Sequence, residues 1–449
     1  MRIFLGLTEV SGFYTNLRKG FDSIGVKCEL VTLSHHPFNY ENKNHSIWAR
    51  MAQFAVAGKL LQEKKFIIKE IFWSTLVIVT RVFLLIWALL RFDVFIFCCA
   101  TSFFRFRELP LLKFFGKKII YNFHGTDSRC AFMDGFAEDL FMPPNLQEGT
   151  GYIGPLRDWD NKDIKFKKVA AYVALTAFRK TKINYIDKYA DVIINSPSHG
   201  QHHSRPFIQR LIIGMPFMPE KKTLRLKKKK YEFNDLVTIL HCPSYPEGKG
   251  SPEIRLAINS LKEKGHKINF IEITGRPNQE VLELISTCDF VIDQLYSDMA
   301  MVGFATEAAF FGKPAIVGGY YSNNQLNDIS SKWIPPTLFC LPEDIETSIK
   351  KMLIDKNYRQ DLGNRAHDFV MKYWHASECA KRIIDLINGN IPKDWFFDPQ
   401  KSDYYLGMGM KKDKVKQIMS YVVSEYGVNA LQLSDKPIIE QKILNFVNN

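Results

Sequence analysis

Short continuous apolar runs alternate with amphipathic segments along most of the chain. Runs of about four to eight apolar residues flanked by turn residues are typical of buried strands, whereas apolar residues spaced by three and four indicate helices. This pattern predicts a first series of strands at 2–7, 27–33, 93–98, 118–123 and 191–195, with a helix over 17–24 between the first two. Such strands, separated by helices, form parallel sheets covered on both faces.

A second strand and helix series follows after a charged stretch. It comprises predicted strands at 236–241, 267–274, 289–295 and 314–318 and predicted helices at 252–264, 279–286, 304–311, 343–354 and 358–373. The chain has 449 residues, which exceeds the roughly 250–300 residues at which a single core stops growing. The sequence therefore predicts an α/β protein with two Rossmann-like, doubly wound domains.

The domain boundaries follow from composition. The predicted N-terminal domain spans residues 1–218, and the predicted C-terminal domain spans residues 232–392. Between them, residues 219–231 hold seven lysines or arginines among thirteen residues, which indicates a solvated linker. Residues 393–449 form an extension that is predicted to be helical after residue 411 and to have no strand partner.

The segment at 71–90 is long and apolar enough to cross a membrane. Arg81 lies at its centre, where a charge costs roughly 2.5–3.5 kcal/mol on insertion scales. Three interpretations stay open: a buried or half-buried helix, a helix at 66–92 in the bilayer interface, and a true span. Basic residues nearby are Lys64, Lys65, Arg105, Arg107, Lys117 and Lys118. They favour attachment to an anionic membrane surface and equally fit a solvated rim.

Charge and cysteine usage narrow the class of protein. The formal net charge of +13 indicates an anionic partner, such as a lipid surface, a nucleic acid or a phosphate-bearing substrate. The lysine run at 227–230 has no interleaved aromatic residues, which disfavours nucleic acid. The eight cysteines form no CxxC pair, which indicates reduced cytoplasmic thiols and no zinc site. Glu9 interrupts the apolar run at 1–9, so no secretion signal is predicted.

A loop at 241–254, HCPSYPEGKGSPEI, joins a predicted strand to a predicted helix. Ser251 can cap that helix, and Pro252 suits its first position. Gly250 allows close approach of a ligand, while Lys249 and the first helical N–H groups supply positive charge. The loop therefore predicts a diphosphate site, with an ordinary capped helix after a flexible turn as the alternative.

A second loop of the same kind lies within residues 289–319. A predicted strand ends near Asp293, a loop with Gly303 follows, and Glu307 falls in the first turn of the next helix. A carboxylate there can accept hydrogen bonds from the vicinal hydroxyls of a ribose, while the helix N–H groups hold a phosphate. The alternative is a glutamate that is favoured only by the helix dipole.

These two loops, with the motifs HCPSYPEGKGS, CDFVIDQL and GFATEAAFFGKPAIV in order, resemble the nucleotide-sugar domain of retaining GT-B glycosyltransferases of the glycogen-synthase-like group. The resemblance makes Lys249 the phosphate lysine and Glu307 the ribose ligand. Ser244 stands where the family has an arginine, and Met299 stands where it has a first glutamate. Asp298, one position away, is the candidate replacement for that glutamate. The implied donor-binding residues are Gly12, Ser244, Lys249, Gly250, Asp298, Gly303, Thr306 and Glu307.

The N-terminal half contributes the sequence NFHGTDSR, which follows the strand at 118–123. The resemblance implies that His124 contacts the donor sugar, so that His124 and Glu307 are the candidate catalytic residues. Asp127 is predicted to order this loop, and Arg129 to face a phosphate on the acceptor. A structural histidine, a surface arginine and a routine tight turn at Gly12 are the alternatives.

The resemblance implies transfer of a sugar from a nucleoside diphosphate sugar, with retention, to a glycan or lipid-linked acceptor in capsule, O-antigen or similar polysaccharide biosynthesis. It implies no metal and no other cofactor, and the DxD-like motif at 158–160 is interpreted as a coincidence because its flanks are loop-like. A cytoplasmic protein, peripheral on the inner face of the membrane, is expected. The alternatives are a nucleotide-sugar 2-epimerase of the same fold and a degenerate member that binds glycans or acts as a scaffold.

Overall fold

The computed structural model describes residues 1–33, 46–61, 67–99, 101–133, 167–220 and 236–448. Residues 221–231 of the predicted linker and the DxD-like motif at 158–160 lie outside these ranges, as do Lys64 and Lys65.

The first sheet is built from the N-terminal part of the chain and one late strand. Its strands are β1 (Arg2–Leu7), β2 (Lys27–Thr32), β3 (Val94–Cys98), β4 (Lys118–Asn122), β5 (Val192–Asn195), β6 (Phe207–Gln209) and β12 (Phe396–Phe397). The order across the sheet is β12-β6-β5-β4-β3-β1-β2. All neighbours pair in parallel except β12 and β6. Every residue of β3 is buried, as expected for a strand covered on both faces.

Helices cover both faces of this sheet. They are α1 (Phe13–Ser23), α2 (Ile47–Leu61), α3 (Ile67–Arg91), α4 (Leu109–Phe114), α5 (Lys167–Tyr189) and α6 (Arg210–Ile213). The hydrophobic pattern does not predict α2, α5 or β6. The three residues of β6 are too few to show a period, so only pairing with β5 reveals them as a strand.

The second sheet is wholly parallel. Its strands β7 (Val237–His241), β8 (Ile268–Glu272), β9 (Phe290–Ile292), β10 (Ala315–Gly318) and β11 (Leu338–Cys340) take the order β11-β10-β9-β7-β8. The helices of this domain are α7 (Pro246–Lys249), α8 (Ser251–Glu263), α9 (Asn278–Thr287), α10 (Gly303–Phe310), α11 (Gln325–Asp328), α12 (Ile345–Ile354) and α13 (Lys356–Phe369). The predicted architecture of two Rossmann-like domains is therefore confirmed.

The chain crosses back to the first domain after α13. A π-helical turn, Val370–Trp374, leads into α14 (Ala376–Asn388), which packs on α1. The approach is close, because a Cβ at Gly20 would lie 2.1 Å from the carbonyl oxygen of Ala376. The buried Trp374 also donates its indole N–H to the carbonyl of Leu211 at 3.2 Å. These contacts attach the crossing segment, and with it the C-terminal domain, to the N-terminal domain.

The C-terminal extension continues on the N-terminal domain. Its helices α15 (Lys412–Tyr426) and α16 (Pro437–Asn448) share an apolar cluster with α5 and with residues 130–133. Lys180 of α5 donates to both carboxylate oxygens of Asp435, at 2.9 and 2.8 Å. The prediction that this extension has no strand partner is wrong, because β12 pairs antiparallel with β6. Two residues are too short to carry a strand signal.

Helices α2 and α3 form a hairpin with a large exposed apolar surface. Among the described residues, α3 is the one helix long and apolar enough to span a membrane, and 22% of its most apolar 18-residue window is buried. Trp48 stacks on Phe83 with 5.1 Å between ring centroids. Arg81 donates to the carbonyl of Phe103 at 3.3 Å, which explains a charge in the middle of α3. Thr80, Leu84, Leu85 and Ala88 are the buried residues of α3, so of the buried or half-buried interpretation only the half-buried form is left, and the interfacial helix and the true span stay predictions.

Candidate functional site between the two sheets

One cavity of about 350 Å³ lies where the carboxyl ends of the two sheets face each other. Its lining comes from residues that follow six strands: Val10 and Ser11 after β1, His124 after β4, Arg210 after β6, Cys242 to Ser244 after β7, Ile273 to Arg276 after β8, and Asp293 and Gln294 after β9. Ligands of open parallel sheets bind at this end of the strands. The arrangement therefore defines the candidate site without reference to any single motif.

Lys249 lies at the last position of the short helix α7 and lines the cavity. Its ammonium group donates to the side-chain oxygen of Gln294. Burial lowers the pKa of Lys249, and the nearby Asp293 carboxyl opposes that shift. Ser244, where the resemblance leads one to expect an arginine, also lines the cavity and is exposed. The structure thus brings one predicted cation to the site.

The structure contradicts one prediction for this loop, the Ser251 cap, and gives no support to a second, the ligand contact at Gly250. Ser251 does not cap α8; its hydroxyl is buried against the imidazole of His241 at 2.8 Å, and the N-cap position is Gly250. Gly250 has φ of +77°, and a Cβ there would lie 2.5 Å from the Cβ of Leu295. Its missing side chain therefore makes room for the chain after β9, and Gly250 does not line the cavity.

Glu307 lines the cavity from the first turns of α10 and is 8% exposed. It accepts a hydrogen bond from the side-chain amide of Asn278 at 2.8 Å. Burial raises the pKa of Glu307 to about 8, and the neighbouring carboxyl of Asp293 adds to the rise. A carboxyl group with this pKa changes charge near neutral pH, so its ionisation can be coupled to ligand binding.

The start of α10 faces the cavity through Gly303 and Phe304. Asp293 accepts a hydrogen bond from the N–H of Ala305 at 3.3 Å. Within the described part of the chain, the N–H groups of Gly303 and Phe304 have no acceptor. Thr306, predicted to contact the donor, donates its hydroxyl to the carbonyl of Val302 at 2.9 Å and does not line the cavity. Two backbone amides are thus available to an anion.

The loop between β1 and α1 differs from the loop before α10, because a side chain occupies the N–H groups at its helix start. Gly12 adopts a left-handed conformation with φ of +77° at the start of α1 and lies outside the cavity lining, which its neighbours Val10 and Ser11 provide. The carboxylate of Glu9 accepts hydrogen bonds from the N–H groups of Tyr14 and Thr15, at 3.1 and 2.7 Å. The N-terminus of α1 is therefore filled by a side chain of the protein itself.

His124 lines the cavity at the end of β4 with both ring nitrogens engaged. Arg210 donates to its Nδ1, and because a guanidinium only donates, Nδ1 is the acceptor and Nε2 carries the proton. Nε2 then donates to the hydroxyl of Tyr14 at 2.9 Å, and this hydroxyl also accepts from Asn122 at 3.1 Å. Burial, followed by the charge of Arg210, lowers the pKa of His124 well below its usual value. The imidazole is therefore neutral at physiological pH.

Asp127 and Arg129 lie close to His124 in the sequence but do not line the cavity. The carboxylate of Asp127 accepts from the N–H groups of His124 and Gly125, at 2.8 and 3.0 Å, so it orders the His124 loop. Arg129 forms a buried ion pair with Asp298 of the other domain. The structure does not support Asp298 as the replacement for the missing sugar-contacting glutamate or Arg129 as a contact of an acceptor phosphate, because the two charges face each other and neither residue lines the cavity.

One cluster of soft ligands occurs among the described residues. Sulfur atoms of Cys98 and Cys99 and a ring nitrogen of His124 lie within 4.8 Å of one another. Both nitrogens of His124 already have partners, and the adjacent guanidinium of Arg210 repels a cation. These residues therefore fit a metal ion poorly. All eight cysteines of the chain are free.

Sequence reasoning missed several residues that line the cavity: Arg210, Arg276, Asn278, Gln294 and Met408. Arg276 follows β8 in the sequence TGRPN, a turn signal that could have identified it as a loop cation. Arg210 follows β6, which is too short to show a hydrophobic period, so the sequence does not place Arg210 at a strand end. Met408 comes from the extension, which the pattern does not connect to the site.

The fold and the cavity define this chain as an α/β protein of two Rossmann-like domains, with its candidate site between the domains. Solved structures of similar architecture include a trehalose-6-phosphate synthase, at 11% identity and TM-score 0.47, covering 88% of this chain and 100% of that one. A sucrose-phosphate synthase from Thermosynechococcus elongatus has 12% identity and TM-score 0.46, with 86% and 98% covered. The catalytic domain of starch synthase IV from Arabidopsis thaliana has 9% identity and TM-score 0.45, with 87% and 99% covered. No protein-family model matches the chain, and no curated protein matches it.

Proposed function

We propose that this chain is a glycosyltransferase that moves a sugar from a nucleoside diphosphate sugar to a hydroxyl group of an acceptor. One observation carries the proposal: Lys249, the free N–H groups at the start of α10 and the buried Glu307 line a single cavity at the carboxyl ends of two parallel sheets. This set offers a cation, oriented amide dipoles and a carboxyl group to one ligand. A nucleoside diphosphate presents the matching groups.

Different residues of this set bind the diphosphate and the ribose of the nucleotide. The N–H groups of Gly303 and Phe304 and the ammonium group of Lys249 bind the diphosphate, whose negative charge grows as the bond to the sugar breaks. Glu307, held by Asn278, accepts hydrogen bonds from the ribose hydroxyls. Preorganised donors of this kind stabilise the leaving group without reorganisation, which is how the protein lowers the barrier.

The reaction we propose proceeds with retention and needs no metal, because Lys249 and the helix amides supply the positive charge. The bond between the anomeric carbon and the diphosphate oxygen breaks, and a bond to the acceptor oxygen forms, with the hydroxyl proton passing to the leaving diphosphate. The acceptor is a glycan or a lipid-linked glycan in capsule, O-antigen or similar polysaccharide biosynthesis. The cleft between the domains leaves the N-terminal side, near His124, for that acceptor.

Calorimetric titration with UDP, ADP and GDP tests the donor site. At least one nucleotide should bind the wild-type protein, and Lys249→Ala and Glu307→Ala should each weaken that affinity by about tenfold to a hundredfold, since each removes a charge-assisted contact worth about 1.5–3 kcal/mol. Lys262→Ala and Glu263→Ala are matched controls, because both side chains are exposed at the end of α8 and neither lines the cavity. Unchanged affinity in both cavity variants contradicts the proposal.

Incubation with nucleotide sugars that carry the bound nucleotide then identifies the reaction. Release of nucleoside diphosphate that depends on an added acceptor supports the transferase. Isomerisation of the nucleotide sugar without an acceptor points instead to a 2-epimerase, and no binding of any nucleotide points to a degenerate binding or scaffold protein.

We further propose that the α2–α3 hairpin attaches the protein to an anionic membrane surface, as a peripheral protein on the cytoplasmic face. Its solvent-facing side carries Ile47, Met51, Phe54, Leu60, Leu61, Ile67, Ile68, Ile71, Phe72, Ile78, Val79, Val82, Phe83, Ile86 and Leu90, all exposed. The described helices of this hairpin hold five basic residues, Arg50, Lys59, Lys69, Arg81 and Arg91, and one acidic residue, Glu70. Apolar burial and attraction of basic residues to anionic lipid act together at such a surface.

Flotation with vesicles tests the membrane proposal. The protein should float with phosphatidylglycerol-containing vesicles more than with phosphatidylcholine vesicles, and less as salt rises. The double variant Ile71→Asp/Phe72→Asp should lose flotation, whereas Leu256→Asp, at an exposed apolar residue of the other domain, should keep it. Equal flotation of the double variant and wild type, or a dimer in solution that the double variant abolishes, contradicts membrane attachment.

A further inference from the structure

The N-terminal wall of the cavity contains a buried cation that the donor site described above does not use. Arg210 is 4% exposed and begins α6, directly after β6. Its side chain lines the cavity. The described residues give its guanidinium one hydrogen-bond acceptor, Nδ1 of His124, and leave its Nε without a partner.

The electrostatic surroundings of Arg210 are unusual for a buried arginine. Within the described ranges no carboxylate lies within ion-pair distance of it; Asp127, a nearby acid, is turned toward the N–H groups of His124 and Gly125. Arg129, by contrast, faces the carboxylate of Asp298, and Arg382 donates to backbone carbonyl groups. Burial lowers the pKa of Arg210, with Tyr14 and Asp127 opposing the shift. Even so, an arginine stays protonated.

A charge in this position destabilises the protein unless an anion joins it. Taking an unpaired ion out of water costs several kcal/mol, and a single neutral imidazole returns little of that cost. The fork of guanidinium N–H groups matches the paired oxygens of a carboxylate or a phosphate. Because Arg210 lines the cavity, a ligand bound there lies next to its side chain.

We infer that Arg210 is the anchor of an oxyanion subsite on the N-terminal wall of the cavity, which binds a phosphate or carboxylate group of a substrate. The inference rests on the proposed function for the rest of that substrate. Two sources can supply the oxyanion. One is the diphosphate of the donor, which Arg210 would then clamp from the opposite domain to Lys249, where Ser244 offers no charge. The other is an acidic group on the transferred or the accepting sugar.

His124 takes a second role in this arrangement. Arg210 donates to Nδ1, which fixes the Nε2–H tautomer and directs that N–H to the hydroxyl of Tyr14. The imidazole therefore orients the guanidinium, and the polar chain through Tyr14 and Asn122 anchors the imidazole. His124 is a positioning residue for the oxyanion subsite.

The test compares the wild type with Arg210→Gln and Arg210→Lys. Calorimetry measures the affinity for inorganic pyrophosphate, for UDP, ADP and GDP, and for glucuronate against glucose in the presence of the bound nucleotide. If the oxyanion belongs to the donor, Arg210→Gln weakens the affinities for pyrophosphate and for nucleotide at least tenfold. If it belongs to the sugar, the nucleotide affinity holds, and the preference for glucuronate over glucose falls at least tenfold.

Controls separate the alternatives. Arg205→Gln removes an arginine near β6 that donates to the carbonyl of Ala190 and does not line the cavity, so it should change none of these affinities. Arg210→Lys keeps the charge and loses the fork of guanidinium N–H groups. The probe whose affinity depends on Arg210 should therefore bind to this variant about three- to tenfold more weakly than to wild type. If Arg210→Gln does not fold, Arg210→Lys decides the question.

The inference is overturned if folded Arg210→Gln matches wild type for every probe, or if Arg210→Lys does so when Arg210→Gln is unfolded. A wild-type protein that binds no nucleotide removes the proposed donor site separately. In that case, binding of pyrophosphate or glucuronate that Arg210→Gln abolishes still supports the oxyanion subsite, and no binding of either contradicts it.

Discussion

Helices α1 and α10 begin at the same cavity, each after a parallel strand and a short loop, yet their N-termini are used differently. The amides of α1 are filled by Glu9, through Tyr14 and Thr15. At α10, the carboxylate of Asp293 accepts from the N–H of Ala305, whereas Gly303 and Phe304 line the cavity and their N–H groups have no acceptor among the described residues. The same architecture therefore yields one closed and one open anion site. Local side chains, and not the fold, decide which helix terminus is left without an acceptor, and under the proposed function the phosphates bind at that open terminus.

The two walls of the cavity also differ in how far the sequence predicts them. Lys249 and Glu307 each lie in a strand, loop and helix pattern of some twenty residues, so local periodicity and turn chemistry locate both. Arg210 and His124 meet across 86 residues, and Arg129 and Asp298 across 169. No local pattern encodes such pairs. They follow from strand order, which the apolar runs alone do not determine.

The fold shows the same division. The apolar runs predict nine of the twelve strands among the described residues to within a few residues, because each of these nine lies within a longer apolar stretch of the sequence. They miss β6, β11 and β12, which have two or three residues each. Two of these three lie at the edges of the sheets, where pairing with one neighbour defines the strand. Of these three missed strands, β6 is the one that matters for the site, because Arg210 follows it.

The largest expected effect comes from breaking the buried ion pair between the two domains. Arg129 of the N-terminal domain pairs with Asp298, in the loop that leads to α10, and both side chains are about 5% exposed or less. Arg129→Ala leaves a buried carboxylate without its cation and should lower the free energy of unfolding by about 3–5 kcal/mol. Denaturant unfolding followed by fluorescence measures the change.

A matched double variant completes this experiment. Arg129→Met/Asp298→Leu removes both charges and should recover most of the stability lost in Arg129→Ala, because an apolar pair of similar volume needs no compensation. A double variant that is as unstable as Arg129→Ala would show that packing, and not the unpaired charge, dominates at this contact.

A smaller effect is expected at the closed helix terminus. Glu9→Ala removes the acceptor of two buried N–H groups and of the Thr15 hydroxyl at 2.6 Å, and should cost about 1.5–3 kcal/mol of stability. Thermal unfolding measures the loss. Glu9→Gln, which keeps an acceptor oxygen, should recover part of it. If α1 were held only by its apolar face, Glu9→Ala and wild type would unfold together.

The smallest effect concerns the charge of Glu307 at the open terminus. Burial raises its pKa to about 8, so the carboxyl group of the free protein is largely protonated at pH 7 and ionised at pH 9. A carboxylate accepts hydrogen bonds from both ribose hydroxyls, whereas a protonated carboxyl group must donate one of its own. Nucleotide binding therefore favours the ionised form, and at pH 7 it should release a proton.

The affinity for a nucleotide should accordingly rise about tenfold between pH 7 and pH 9, or about 1.4 kcal/mol, since one pKa unit corresponds to that free energy. Calorimetry at both pH values, in buffers of different ionisation enthalpy, measures the affinity and the proton release together. Glu307→Gln isolates the contribution of this residue from the titration of Lys249 and of the nucleotide, because glutamine accepts through one oxygen at every pH. A rise of the same size in Glu307→Gln would mean that another group governs the pH dependence, and that the open terminus binds the ribose without its carboxylate.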